Sequence, residues 1–240
     1  MSTKGIVLHC MDYSETSIIT RIYTEQLGLQ SYIVKGVRKK GAKIKRNLFS
    51  PLSIINLVAN HKESEGLRVM RDASCEYQLN GIATEITKTA VSIYIGELLS
   101  HAFSAQMADP NLYHFIEDSV LNLDRATESI SGFPLSFTIG LTEFMGFAPH
   151  NNFSASNSFF DMLNGNFCGF PPEHPHYFSP PLSNSFSEVL TALNIGIVSI
   201  KMDYTTRSEL LQKMLEYFRI HIPTFGELKS VQVLSDVLKD

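Results

Sequence analysis

The stretch GIVLHCMDYSETSIITRIYTEQLGLQSYIVKG, Gly5 to Gly36, decides how the chain begins to fold. Its opening run, KGIVLHCMDY, is apolar and β-branched, the composition of a strand. SIITRIYTEQ then alternates. Ile18, Thr20, Ile22 and Thr24 fall on one side of an extended chain, and Ile19, Arg21 and Tyr23 on the other. A third run, GLQSYIVKG, is entered through Gly28 and left through Gly36. LFSPLSIINLVAN supplies a fourth, with Pro51 marking a bend or an edge position. GLRVMRDASCEYQL is a fifth, after the turn-like HKESEG. Five short strands separated by Gly, Ser and charged turns predict a small barrel of OB type over residues 1–80.

From Thr84 onward the apolar period lengthens to that of helices, which predicts a helical domain over residues 81–240 and an α+β protein overall. ATEITKTAVSIYIGELLSHAFSA has helical spacing, and DPNLYHFIEDSVLNL opens with Asp109 as N-cap and Pro110 at the first helical position. PLSFTIGLTEFMG stops at Gly146; SFSEVLTALN carries a capping box, Ser185 with Glu188. TTRSELLQKMLEYFRIHI ends before Pro223, and LKSVQVLSDVL closes the chain. Between about residues 147 and 183 lies an irregular insertion, where Asn164-Gly165 between Phe-rich flanks predicts a hairpin turn.

The charge is distributed as unevenly as the periodicity. The 240 residues carry a formal net charge of −4, yet residues 1–80 hold 12 Lys and Arg against 7 Asp and Glu, and residues 81–240 hold 8 against 17. A basic head on an acidic body points to an anionic partner for the head, with nucleic acid first. The positive charge concentrates in VKGVRKKGAKIKRNLFSP, where Lys35, Arg38, Lys39, Lys40, Lys43, Lys45 and Arg46 fall within one loop's length. Mutual repulsion keeps such a block at the surface. On an OB barrel, a basic groove that tracks phosphates, with aromatic rings to stack bases, binds single strands. The seven cations, with Arg21 in the second strand, are therefore the candidate DNA-contacting set, and Tyr23, Tyr32 and Phe49 the candidate stacking rings.

Several chemistries are excluded. GVRKKGAK fails as a phosphate-binding P-loop, because Ala42 separates Gly41 from Lys43 and Ile44 follows. There is no G-x-S-x-G, H-E-x-x-H or G-x-G-x-x-G, so no catalytic motif and no nucleotide cofactor is indicated. His150, Cys168, His174 and His176 have residue types that suit zinc but not its ligand spacing, and no metal is expected. The three cysteines are scattered and no apolar run reaches the length of a membrane span. With no secretory signal in MSTKGIVLHC, a cytoplasmic protein is expected.

The motifs, taken in order, resemble the RecO family of bacterial recombination mediators. The shared elements are the apolar first strand, the turn Ser14-Glu15-Thr16, the strand ending Tyr23-Thr24-Glu25, and Lys35-Gly36-x-Arg38. NLFSPLSIINL, YIGELLSHAF, LTEFMGFAP and YFRIHIPTFGELKSVQVL are similar to later elements of the family, so the resemblance spans nearly the whole chain. Many members carry four cysteines after the Phe-Ala-Pro element and bind zinc there. This chain has only Cys168, and packing of Phe159, Phe160, Met162 and Phe167 is expected to hold the hairpin instead.

The resemblance implies a non-enzymatic role in DNA repair and homologous recombination. Such a protein binds single- and double-stranded DNA and anneals complementary strands. With RecR it helps to load RecA onto single strands coated by the single-strand binding protein, SSB, whose acidic C-terminal tail it also binds. The cations available for that tail are Arg207, Lys213 and Arg219 on the long C-terminal helix; an apolar groove near residues 132–146 and 204–222 would receive it. Two other classes remain open on the residues alone. One is an RNA-binding OB-fold protein of translation. The other is a hydrolase centred on the Phe-, His- and Pro-rich insertion.

Overall fold

The alternation of apolar residues in the first eighty positions closes into a five-stranded barrel. The computed structural model describes residues 1–59, 66–103, 108–196 and 202–239. The strands are β1 (Ser2–Asp12), β2 (Ile18–Thr24), β3 (Gly28–Val34), β4 (Ile54–Ala59) and β5 (Arg68–Cys75). Around the barrel they run in the order β1-β2-β3-β5-β4, with β4 also paired to β1. Only the β3–β5 pairing is parallel. The expected turn HKESEG falls, apart from Gly66, outside the described residues.

Strand β2 has the expected two-sided character. Ile18, Thr20, Ile22 and Thr24 are fully buried. The two threonines are compatible with that burial because their hydroxyls are satisfied: Thr20 donates to the His9 carbonyl at 3.0 Å, and Thr24 to that of Gly28 at 2.8 Å. On the opposite side Tyr23 is buried as well, because a helix covers it.

That helix belongs to the same compact unit as the barrel. One unit spans Met1–Ala126 and a second Thr127–Asp240. The first therefore comprises the barrel with α1 (Asn80–Thr84), α2 (Ile86–Ala102) and α3 (Pro110–Arg125). Helix α2 lies directly on β1. A Cβ on Gly96 would sit 2.8 Å from the Leu8 carbonyl oxygen, so only glycine permits this approach. As expected from the sequence, Asp109 caps α3, accepting from the amides of Asn111 and Leu112, and Pro110 opens it.

The end of α3 is held by a buried cation. Lys88 is 3% exposed, and its ammonium donates to Glu85 at 2.9 Å and to the carbonyls of Asp124 at 3.0 Å and Ala126 at 2.7 Å. Those carbonyls lie at the C-terminal end of α3, where no intrahelical donor reaches them.

The second unit contains α4 (Phe133–Met145), α5 (Leu182–Asn194), α6 (Tyr204–His221) and α7 (Ser230–Val237). It also contains a three-stranded sheet of β6 (Phe159–Asp161), β7 (Asn166–Cys168) and β8 (Tyr177–Phe178), in the order β7-β6-β8. The expected stop at Gly146 is a left-handed cap with φ 81°. The expected hairpin joins β6 to β7. Gly165 there has φ 66°, and a Cβ on it would meet the Tyr217 hydroxyl at 2.8 Å. Phe160 lies at the centre of an aromatic cluster, with ring centroids 5.1 Å from Phe167, 5.2 Å from Phe178 and 4.8 Å from Phe186.

One local expectation needs correction. Ser185 is not the N-cap of α5, because the helix begins three residues earlier at Leu182. The amide of Ser185 donates within the helix start to the Pro181 carbonyl, and the neighbouring Ser183 hydroxyl donates to that of Ser158. Phe186 then turns inward to the aromatic cluster, so tertiary packing sets the boundary rather than the capping pattern.

Replacing Lys88 by Met keeps the aliphatic stem and leaves two helix-end carbonyls without their donor. Since a stranded buried polar group costs roughly 1–3 kcal/mol, Lys88→Met should destabilise the protein by about 2 kcal/mol or more in urea unfolding. A loss under ~0.5 kcal/mol would mean that water satisfies those carbonyls equally well.

Candidate nucleic-acid interface

The basic segment between β3 and β4 is anchored, not loose. Val37, Ile44 and Phe49 are 4%, 6% and 3% exposed and pack into the same core as Ile18, Ile22, Tyr32, Ile55 and Leu57. A single 3-10 turn, Arg46–Phe49, brings Phe49 inward. Apolar residues interleaved with cations fix which way each faces. Lys35, Arg38, Lys39, Lys40, Lys43, Lys45 and Arg46 are all exposed.

Backbone hydrogen bonds stiffen the segment further. Lys39 N–H donates to Gly36, Ala42 N–H to Lys39 and Leu48 N–H to Lys45. The segment is also tied to the β1–β2 turn. Arg38 donates its amide to the Thr16 carbonyl at 3.2 Å and its guanidinium to the Ser14 carbonyl at 3.2 Å. Asp12, at the end of β1, reaches two guanidiniums, Arg46 at 2.8 Å and Arg38 at 3.2 Å. Lys43 pairs with Asp72 at 2.7 Å and holds that carboxyl below its ordinary value.

Exposed pairs of this kind contribute at most about 1 kcal/mol, so they orient the cations rather than neutralise the surface. Seven cations against Asp12 and Asp72 leave a balance of five positive charges. Lys35, Lys39, Lys40 and Lys45 have no carboxylate within ion-pair distance among the described residues. The arrangement can attract a polyanion along its length without discriminating between sequences, because phosphates carry no base identity.

Arg21 does not join this group. It is half-buried, and its guanidinium donates to the carbonyls of Ser100 at 3.2 Å and Phe103 at 3.1 Å, at the end of α2. Burial draws its pKa below the ordinary arginine value. The expected stacking rings are corrected outright. Tyr23, Tyr32 and Phe49 are 0%, 1% and 3% exposed, and no base can reach them. Tyr23 packs on Phe103 with centroids 5.0 Å apart, and burial pushes the phenols of Tyr23 and Tyr32 up to about 12. Nearness in sequence misled here: Tyr32 and Phe49 lie close to the basic block along the chain, yet both pack into the barrel core, and Tyr23 packs on Phe103. Asp12, which organises both arginines, was invisible in the sequence because nothing in the spacing links it to Arg38 or Arg46.

In the second unit, the three cations on α6 diverge. Successive helical residues rotate by about 100°, so Arg207, Lys213 and Arg219 stand roughly 120° apart around the axis. Arg207 is 8% exposed, and its guanidinium donates to the carbonyls of Met202 at 3.1 Å and Leu238 at 2.9 Å. It lines a narrow cleft of about 40 Å³ between α4, α6 and α7, walled by Leu135, Leu211, Leu234 and Leu238 with Ser208 beside them. Lys213 instead pairs with Glu216 at 2.9 Å and borders a separate Pro-rich cavity. Arg219 is exposed in the last turn of α6.

The histidines and cysteine of the insertion do not converge. His174 faces Asp161 at 3.3 Å, His176 binds Glu216 at 2.8 Å, and the Cys168 thiol donates to the Phe159 and Phe170 carbonyls. Among the described residues, no group of three or more His, Cys, Asp or Glu side chains is placed to hold a metal ion. Nor is any described helix long and apolar enough to cross a membrane.

A family model for the recombination protein O N-terminal domain matches residues 1–78, and one for the C-terminal domain matches residues 83–230. The DNA repair protein RecO of Bacteroides fragilis (strain YCH46) is 30% identical over 236 residues, covering 98% of each chain. That of Azobacteroides pseudotrichonymphae is 27% identical over 235 residues with the same coverage. That of Porphyromonas gingivalis (strain ATCC BAA-308 / W83) is 25% identical over 238 residues, covering 97% of each. Matched in both parts and in order, the chain belongs to the RecO family of DNA repair proteins.

Proposed function

We propose that this protein binds single- and double-stranded DNA through the anchored basic segment, anneals complementary strands and, with RecR, helps to load RecA onto single strands coated by SSB. The reading rests on one observation: the residues from Lys35 to Arg46 are fixed by buried apolar anchors while every cation among them is exposed. Annealing requires no nucleophile. It requires that the repulsion between two polyanions be screened while bases find partners, which a sequence-indifferent cationic surface supplies. Family membership fits a mediator without catalytic activity, acting in the cytoplasm.

The cleft between α4, α6 and α7 is the proposed seat of the SSB tail. Its walls are leucines and its one buried cation is Arg207, the combination suited to an apolar peptide end with a terminal carboxylate. At about 40 Å³ it holds little more than one or two waters, so the peptide lies along the groove rather than within it. Lys213 and Arg219 face away from Arg207 and are not included in this seat.

Two measurements test these assignments. Lys39, Lys40 and Lys45 changed together to Ala remove three cations that have no carboxylate partner among the described residues, without touching the anchors or the Asp12 pairs. Each phosphate contact with a single strand contributes about −0.7 to the slope of log K against log salt. The triple variant should flatten that slope by about two units on mixed-sequence oligonucleotides, weaken all sequences alike, and barely move the melting temperature. An unchanged slope would assign DNA contact elsewhere. For the tail, Arg207→Ala is a poor probe, because it strands the Leu238 carbonyl and costs stability. Ser208→Glu places a negative charge on the groove's rim instead. It should weaken binding of an SSB tail peptide by about fivefold, from roughly 1 kcal/mol of like-charge repulsion, and leave bare-DNA affinity unchanged. Equal losses on peptide and DNA, or no loss on either, would remove the groove as the tail site.

A further inference from the structure

Strand β5 carries an extra residue where it faces β4. Met70 pairs with Ala59 and Asp72 with Val58, so Arg71 between them has no partner on β4. Such a bulge interrupts the alternation of side chains between the two faces of a strand. Burial shows the result. Met70 is 4% exposed and lies in the barrel core, and Ala73, three residues on, packs against the same core. Arg71 and Asp72 therefore both face outward. Val58, which stands opposite Asp72, is exposed as well.

This outward pair adjoins the basic segment on two sides. Asp72 is the carboxylate that takes the Lys43 ammonium at 2.7 Å. On the other flank β5 runs parallel to β3, with Tyr32 opposite Arg68 and Ile33 opposite Val69. The next step sets Val34 beside Met70, both in the core, and the one after brings Lys35 level with Arg71. Arg71 is exposed, and no carboxylate lies within ion-pair distance of it among the described residues. An exposed arginine is by itself ordinary. This one is turned outward by an inserted residue, next to a carboxylate already engaged by Lys43 and in line with Lys35.

We propose that Arg71 is a phosphate contact of the DNA surface, and that a bound strand passes from the basic segment across the β3–β5 junction. This rests on the phosphate-contact reading above and extends it to a second stretch of the chain. A guanidinium suits the task, since it can hold two phosphate oxygens at once and keeps its charge at every working pH.

The experiment compares wild type, Arg71→Gln, Arg71→Lys, Arg125→Gln and the Lys39/Lys40/Lys45 triple alanine variant. The probe is one mixed-sequence single strand across a salt series. Arg125 is an exposed cation at the end of α3 and serves as the control for overall charge. One lost contact flattens the slope of log K against log salt by about 0.7. Arg71→Gln should show that change, and combined with the lysine triple it should add to the roughly two units expected of the triple alone. Arg71→Lys and Arg125→Gln should both keep the wild-type slope. The melting temperature of Arg71→Gln should stay at the wild-type value. A slope in Arg71→Gln no flatter than in Arg125→Gln, while the lysine variant flattens, would overturn the inference and leave the phosphate reading standing. So would a lowered melting temperature with affinity lost at an unchanged slope, which would make Arg71 a residue of the fold. Unchanged slopes in both the Arg71 and the lysine variants would overturn both.

Discussion

Three apolar side chains set between cations hold the most highly charged segment of the chain against the barrel. Full burial of a Val, Ile or Phe contributes about 1.5–3 kcal/mol each. Two like charges about 8 Å apart in water repel by roughly 0.5 kcal/mol, less in salt. Val37, Ile44 and Phe49 therefore outweigh the tendency of the surrounding lysines and arginines to spread apart. Without those anchors the same charges would belong to a solvated loop. With them, the cations form a surface of fixed shape, and Asp12 can fasten two of its arginines to the β1–β2 turn.

The same residue types serve an opposite purpose elsewhere. Arg21 bonds carbonyls at the end of α2, Lys88 at the end of α3, and Arg207 the Leu238 carbonyl just past α7. Each meets acceptors that a helix cannot satisfy for itself and that carry the negative end of its dipole. These cations are buried or half-buried because each has found several acceptors, and leaving water is tolerable only then. Exposure with no carboxylate partner among the described residues, at Lys35, Lys39, Lys40 and Lys45, is the mark of a charge available to something outside the molecule.

A repair mediator of this family gains from separating these two uses. Cations that stiffen the fold cannot be displaced by salt or by DNA, so the scaffold persists whether or not a strand is bound. Cations that face water stay free to exchange their counterions for an outside polyanion.

The barrel, the helices that follow it and the hairpin at Gly165 were legible in the sequence, because each is a local pattern. Alternation in Ile18–Thr24 dictates a strand with one buried face; Asp109-Pro110 starts a helix and Gly146 ends one; Asn164-Gly165 turns a chain. The concentration of charge between Lys35 and Arg46 was equally plain, since repulsion alone brings it to the surface. What the sequence could not decide was which side chains share a place. Tyr23 and Tyr32 lie two or three residues from charges along the chain, but in space Tyr23 packs on Phe103 at the end of α2 and Tyr32 lies in the barrel core. Asp12 meets Arg38 and Arg46, and Arg21 meets Ser100, only once the strands have paired. Ser185 has the spacing of a cap, yet packing of Phe186 extends the helix past it. Periodicity is a property of neighbours along the chain; burial and pairing belong to residues brought together from far apart, and only the closed fold determines those.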